Sequence, residues 1–126
     1  MPLKVIVAPK DQETYIISPE GSIDSGTHTI LGSEVDAVLK TSAKFVIFDM
    51  KDVNFVSSAG VSVVLMAEKS LKARGGHALM VNAQPQIKKV FAIVHALPNQ
   101  QIFTSVQEMD AYLKEIQRKV VEGEME

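Results

Sequence analysis

The run Lys44 to Met50 (KFVIFDM) is nearly continuous in apolar residues and has the length of one strand. Such a strand lacks the alternation of a half-wetted sheet and needs cover on both faces, or a place at the centre of a sheet. The rest of the chain supplies both neighbours and cover. Leu3 to Ala8 and Thr14 to Ser18 are short β-rich runs separated by the polar turn Pro9 to Glu13, and they read as an antiparallel pair. Beyond Pro19-Glu20-Gly21, the turn Ser22 to Gly26 is rich in capping residues. Ile30, Leu31, Val35, Val38 and Leu39 then predict a helix over Thr27 to Lys40. Val61, Val64, Leu65, Glu68 and Leu71 predict a second helix, stopped by Arg74-Gly75-Gly76, and His77 to Asn82 resumes as a strand. Pro85 opens a third helix carrying Ile87, Val90, Phe91 and Val94 and ending near His95 to Pro98. Gln100 to Phe103 reads as a last strand, before a C-terminal helix marked by Val106, Met109, Leu113, Ile116 and Val120. The order β-β-α-β-α-β-α-β-α predicts an α/β fold, with a mixed, mainly parallel sheet of about five strands and about four helices. One domain is expected over residues 1–121, with 122–126 (EGEME) a disordered acidic tail.

Composition narrows the chemistry. At 126 residues the chain matches one domain of about 100–200 residues, and a formal charge of −2 is too balanced to grip a nucleic-acid backbone directly. No cysteine is present, which excludes disulfides, a thiolate nucleophile and Cys-ligated metals. With no Trp and two Tyr, aromatic anchors for a small-molecule pocket are scarce, which points toward a protein partner. No apolar run approaches the roughly 18–20 residues that span a bilayer, and the start lacks a signal-peptide stretch, so the expected compartment is the cytoplasm, without membrane contact.

The informative segment is Val53 to Val61 (VNFVSSAGV), where a central strand hands over to a helix. A serine there can simply cap the helix by accepting a first-turn amide. The wider neighbourhood says more. Phe48 to Val61, with an acidic residue closing a strand, a short loop and then Ser57-Ser58-Ala59-Gly60-Val61, resembles the signature of anti-sigma-factor antagonists, single-domain proteins of the STAS superfamily. Gly21-Ser22-Ile23-Asp24, Lys69 to Gly76 and Pro85 to Phe91 resemble further family segments in the same order.

The resemblance implies a single STAS-like domain that works by partner switching. Unphosphorylated, it binds an anti-sigma factor with a histidine-kinase-like ATPase fold; that partner, a serine kinase, phosphorylates it and releases it, and a metal-dependent serine phosphatase restores it. ATP and Mg²⁺ belong to those partners, with no cofactor, metal or catalytic residue in this chain. Carried over by position, the acceptor is Ser58, with the neighbouring Ser57 as the alternative. Ser57 stands where family members often carry Asp, and Ala59 replaces a Ser or Thr. The implied partner-binding surface comprises Gly21, Asp24 and Ser25 on one turn, and Ser57, Ser58, Ala59, Gly60, Val61 and Ser62 on the other. Asp24 reads equally as a helix cap or as a partner contact.

Other readings meet obstacles. A response-regulator receiver would use Asp49 as acceptor, but it needs an acidic pair after the first strand, where Val7-Ala8-Pro9 stands. Val56-Ser57-Ser58-Ala59-Gly60 is not a hydrolase elbow, and no glycine-rich phosphate loop exists. His28, His77 and His95 lie on separate elements without metal-ligand spacing. The remaining alternatives are a STAS subunit of another assembly, such as a stress-signalling scaffold or transporter-associated regulator, and a small ligand- or nucleotide-binding regulator.

Overall fold

The computed structural model describes residues 3–96 and 106–123. Strand β1 (Lys4–Pro9) turns back into β2 (Thr14–Ile23). In the turn, the Asp11 carboxylate accepts the Glu13 N–H at 2.9 Å, and the Lys10 N–H reaches the Thr14 carbonyl at 2.8 Å. The two strands pair antiparallel from Lys4↔Glu20 to Pro9↔Tyr15. Helix α1 (His28–Leu39) follows, then β3 (Phe45–Asp49), β4 (Asp52–Val56), α2 (Ser58–Ala73), β5 (His77–Val81), α3 (Pro85–Ala96) and α4 (Val106–Val121).

The ten-residue β2 organises the sheet. Its first half pairs parallel with β3 (Thr14↔Phe45 to Ile17↔Phe48) and its second half parallel with β4 (Glu20↔Asp52 to Ile23↔Val56), while β5 extends the sheet beyond β3, also in parallel. The strand order is β1-β2-β3-β5, with β4 joined to β2. Between β3 and β4 the chain makes a tight turn in which the Val53 N–H bonds the Met50 carbonyl at 3.0 Å. On β2 the register shifts between Gly21 and Ser22, and Gly21 takes φ +123°, a conformation that a Cβ would strain.

The buried centre of the sheet, including Ile17, Ile23, Val46, Phe48, Val53 and Val56, forms one core with Leu31, Val35 and Val38 of α1 and Val61, Val64, Ala67 and Leu71 of α2. Helices α3 and α4 pack against each other, α3 on β4 and α4 on α2. They bury Ile87, Val90, Leu113 and Ile116.

Among the described residues the fold is the expected α/β arrangement of five strands and four helices, but one strand differs. Strand β4 arises from residues that read as part of the loop before the helix, and β2 continues through Pro19 to Ile23, where the sequence suggested a break. These two stretches pair with each other, so each turns strand-like through the other. Pro19 is tolerated because it sits between the last β3 pair at Ile17 and the first β4 pair at Glu20. The expected strand Gln100 to Phe103 lies outside the described residues.

Candidate functional site

The end of β2 and the start of α2 form one joint. Ser57 has an extended backbone (φ −95°, ψ 176°) and is the N-cap of α2; its Oγ accepts the Gly60 N–H at 3.4 Å, and its carbonyl accepts the Val61 N–H at 2.9 Å. Its own N–H donates to the Ile23 carbonyl at 2.8 Å, fastening the turn to β2. Gly60 completes the joint by close approach. A Cβ there would stand 2.7 Å from methyl carbons of both Ile23 and Val56 and 2.9 Å from the Ile23 carbonyl oxygen. The helix can start this close to β2 because position 60 has no side chain.

Ser58 is the first residue of α2. Ser57 and Ser58 are each only 8% exposed, Ala59 is half-buried, Gly60 and Val61 lie in the interior, and Ser62 faces solvent. Gly21, Asp24 and Ser25 lie at and just beyond the end of β2, which the Ser57–Ile23 bond holds against the serine turn. The Asp24 carboxylate accepts the Gly26 N–H at 2.9 Å, and the Thr27 hydroxyl accepts the Asp24 N–H at 2.9 Å and approaches the Ser22 carbonyl at 2.7 Å. Asp24 thus shapes the turn before α1, whose N-cap, Thr27, makes no side-chain cap bond. Ser25 is exposed.

Two α4 residues complete the joint, and sequence reading missed both. Asp110 Oδ1 accepts the Ser58 N–H at 2.9 Å, so a carboxylate sits at the amino end of α2, where the helix dipole favours an anion. Gln117, 3% exposed, clasps the β4 residue that precedes the turn. Its Oε1 accepts the Val56 N–H at 2.9 Å, and its Nε2 donates to the Val56 carbonyl at 2.8 Å and to the Leu113 carbonyl at 3.0 Å. The contacts with Ser58 and Val56 span 52 and 61 residues of sequence, beyond the reach of any local pattern; the one available hint was a polar Gln between apolar Leu113 and Ile116 on one side and Val120 on the other.

The joint therefore offers two hydroxyls at a helix amino end, with a carboxylate engaging the backbone of the second. No group of three or more His, Cys, Asp or Glu able to hold a metal occurs among the described residues. Asp49 is engaged with Lys51 at 3.8 Å and with the Asn82 side chain at 3.3 Å. Farther along α2, Glu68 accepts the Ala78 N–H of β5 and approaches Lys72 (3.4 Å) and His77 (3.7 Å). Partial burial pushes the Glu68 carboxyl up, but the Ala78 bond, the Lys72 ammonium and the neighbouring His77 ring outweigh it and leave it below the usual glutamate value. No described helix is long and apolar enough to cross a membrane.

Comparison with known proteins places these features in a wider group. A family model described as the STAS domain matches residues 5–109. BtrV of Bordetella bronchiseptica, named as a candidate anti-sigma factor antagonist, is 28% identical over 74 residues, covering 59% of this chain and 64% of that protein. The anti-sigma F factor antagonist of Lysinibacillus sphaericus is 26% identical over 81 residues, 64% of this chain and 69% of its own length. The match thus spans about two thirds of each relative. In fold, the chain is similar to the anti-sigma factor antagonist SpoIIAA in its unphosphorylated form (TM-score 0.67, 21% identity, 86% of this chain and 96% of that one). The Bacillus protein in its phosphorylated form is also similar (TM-score 0.63, 22% identity, 72% and 83%).

Proposed function

This chain belongs to the STAS domain family, and from that premise we propose that it is an anti-sigma factor antagonist that switches partners through phosphorylation of Ser58. The observation that carries the reading is the position of Ser58: a serine on the first turn of a helix, beside the end of β2 and over a glycine-tight joint. That SpoIIAA, similar in fold, has been solved both with and without phosphate supports it. So do the names of the two sequence relatives.

In the forward step, the Ser58 Oγ attacks the γ-phosphorus of ATP held by the anti-sigma partner, which is also the kinase. The Oγ–P bond forms, the bond from the γ-phosphorus to the β–γ bridging oxygen breaks, ADP leaves, and the hydroxyl proton passes to a base of the kinase. A metal-dependent serine phosphatase reverses the state with water, returning the hydroxyl and inorganic phosphate. This chain supplies the acceptor and its placement. The modification adds about −1.5 to −2 charges and three acceptor oxygens. A helix amino end tolerates an anion, so the loss falls on the partner contact, where a packed hydroxyl has become a dianion that must be desolvated.

Titration calorimetry against the anti-sigma partner tests the switch. Ser58→Ala is expected to bind like the wild type, and Ser58→Asp at least about tenfold more weakly, a loss of roughly 1.4 kcal/mol or more. With kinase and ATP, mass spectrometry should find one phosphate on the wild type and none on Ser58→Ala. Equal affinity of wild type and Ser58→Asp, or an undiminished phosphate on Ser58→Ala, would overturn the reading. In the second case the acceptor is Ser57 or another hydroxyl.

A further inference from the structure

We propose that the sheet face turned away from the helical core is a self-association surface, on which a second copy of this chain stacks about a twofold axis running along the strands between β2 and β3. Successive strand residues point to opposite faces. Val7 of β1, Ile17 of β2, Val46 and Phe48 of β3, and Ala78 and Met80 of β5 belong to the core or pack against it. Their neighbours Ile6, Ala8, Ile16, Ile47, Leu79 and Val81 therefore point the other way, and they are apolar too. Ile16 and Ile47 are only half-buried although β2 and β3 are the central strands, and Ile6, Leu79 and Val81 are 44%, 52% and 39% exposed. Strands β2, β3 and β5 pair in parallel, and parallel sheets are stable with cover on both faces. The helices supply one cover, and the other face keeps the apolar residues that call for a second.

The register specifies the occupant. Ala8, Ile16, Ile47 and Leu79 form one row across the four strands, from the smallest side chain at one edge to the most exposed at the other. One step along, Ile6 lies beside Ser18 and Val81 beside Asp49. A twofold axis along the strands reverses these rows in the facing copy. Leu79 then stands over Ala8, Ile16 over Ile47, Ile6 over Val81 and Ser18 over Asp49, so that large meets small, apolar meets apolar and a hydroxyl meets a carboxylate. The ends of the strands carry the opposite-charge pairs Glu13–Lys44 (3.9 Å) and Asp49–Lys51 (3.8 Å), which offer no excess of one sign to a charged partner. Four strands about 4.8 Å apart and roughly six residues long give about 400 Å² of plan area per copy. The pair buries on the order of 800 Å² before side-chain relief is added, the scale of a reversible dimer with a dissociation constant of roughly 10–100 µM. Helix α2 packs on the opposite face, so the dimer leaves the Ser57–Ser58 turn of each copy uncovered.

Sedimentation velocity on the full chain tests this between about 5 and 500 µM, a range in which wild type should pass from monomer to dimer. Ala8→Glu and Leu79→Lys test the axis. Both positions are exposed, so thermal melts of the two variants should match wild type. Each variant alone sets a charge against an apolar neighbour at both edges and should associate at least about tenfold more weakly. In an equimolar mixture, the new carboxylate of one variant faces the new ammonium of the other at one edge, and unaltered Leu79 faces unaltered Ala8 at the other. Association should then return to within about threefold of wild type. A wild type that stays monomeric at about 500 µM overturns the proposal and leaves the face to a different partner. A dimer that both variants leave intact also overturns it, because that dimer uses another surface, as does a mixture of folded variants that regains nothing, because the facing pairs are then not these.

Discussion

At the scale of single residues, glycines that look alike in the sequence turn out to work differently. Gly60 belongs to the serine motif, and Gly75-Gly76 to a helix stop that reads as a place of backbone freedom. Only Gly75 uses that freedom, at φ +83°, with nothing near the space a side chain would fill. Gly76 is needed because a Cβ there would sit 1.6 Å from the Lys44 carbonyl oxygen, and Gly60 because Ile23 and Val56 fill the space above it. Gly60→Ala gains helix propensity of at most about 1 kcal/mol, but overpacking at such a joint costs about 1–3 kcal/mol. The net expectation is a lower urea midpoint. Gly76→Ala meets backbone rather than methyl groups, and its loss should be larger, on the order of 3 kcal/mol. Melts of the two variants check the ranking, and a Gly76→Ala as stable as wild type would mean that the β3 and β5 ends separate freely. The two serines show the same limit of local reading. That one of them caps α2 follows from the sequence; that it is Ser57, leaving Ser58 on the first turn with its N–H given to Asp110, follows from the chain path.

Between elements, much of the adhesion comes from side chains that bond distant backbone. Arg74, legible in the sequence as a positive residue ending α2, gathers the far end of α1. Its Nη1 donates to the Thr41 and Ala43 carbonyls, each at 3.1 Å, and its Nη2 to the Leu39 carbonyl at 2.9 Å. These carbonyls lie at the last residue of α1 and just beyond it, where no basic residue of the last turn offsets the dipole. Arg74→Met should cost about 1–2 kcal/mol in urea denaturation, the range for a charged hydrogen-bond donor at a partly exposed site. Arg74→Lys should recover little of it, since one ammonium cannot span three carbonyls. Full recovery by lysine would show that charge, and not the planar fork, does the work. Gln117 plays the equivalent part for α4, and its burial is the reason its two polar ends must both be satisfied.

On the scale of the whole molecule, Glu68 ties α2 to β5, the strand at one end of the sheet, by accepting the Ala78 N–H. Its carboxyl is held below its ordinary value of 4.5. Such a group contributes stability above that ordinary value and loses the contribution as pH falls through the lower, folded value. Wild type should therefore exceed Glu68→Gln by about 1 kcal/mol at neutral pH. The gap should close in acid, below the ordinary glutamate range, as read from thermal melts across that window; a gap independent of pH would assign the loss to packing alone. The α/β class, the four helices and the strands β1, β3 and β5 were legible because each rests on local periodicity, capping or turn chemistry, and the serine motif was legible because its residues are contiguous. Strand β4, the second half of β2 and the closure of the site by α4 were not. Each of these depends on a partner distant in sequence: Asp52 to Val56 is a strand because Glu20 to Ile23 lies beside it, and Asp110 and Gln117 belong to the site because α4 folds back over residues 52 and 61 positions earlier. Backbone hydrogen bonding and burial over such distances are settled only when the chain is assembled, so the sequence by itself determined the locally specified elements and the candidate acceptor, and the tertiary structure decided strand β4, the length of β2 and what holds that acceptor.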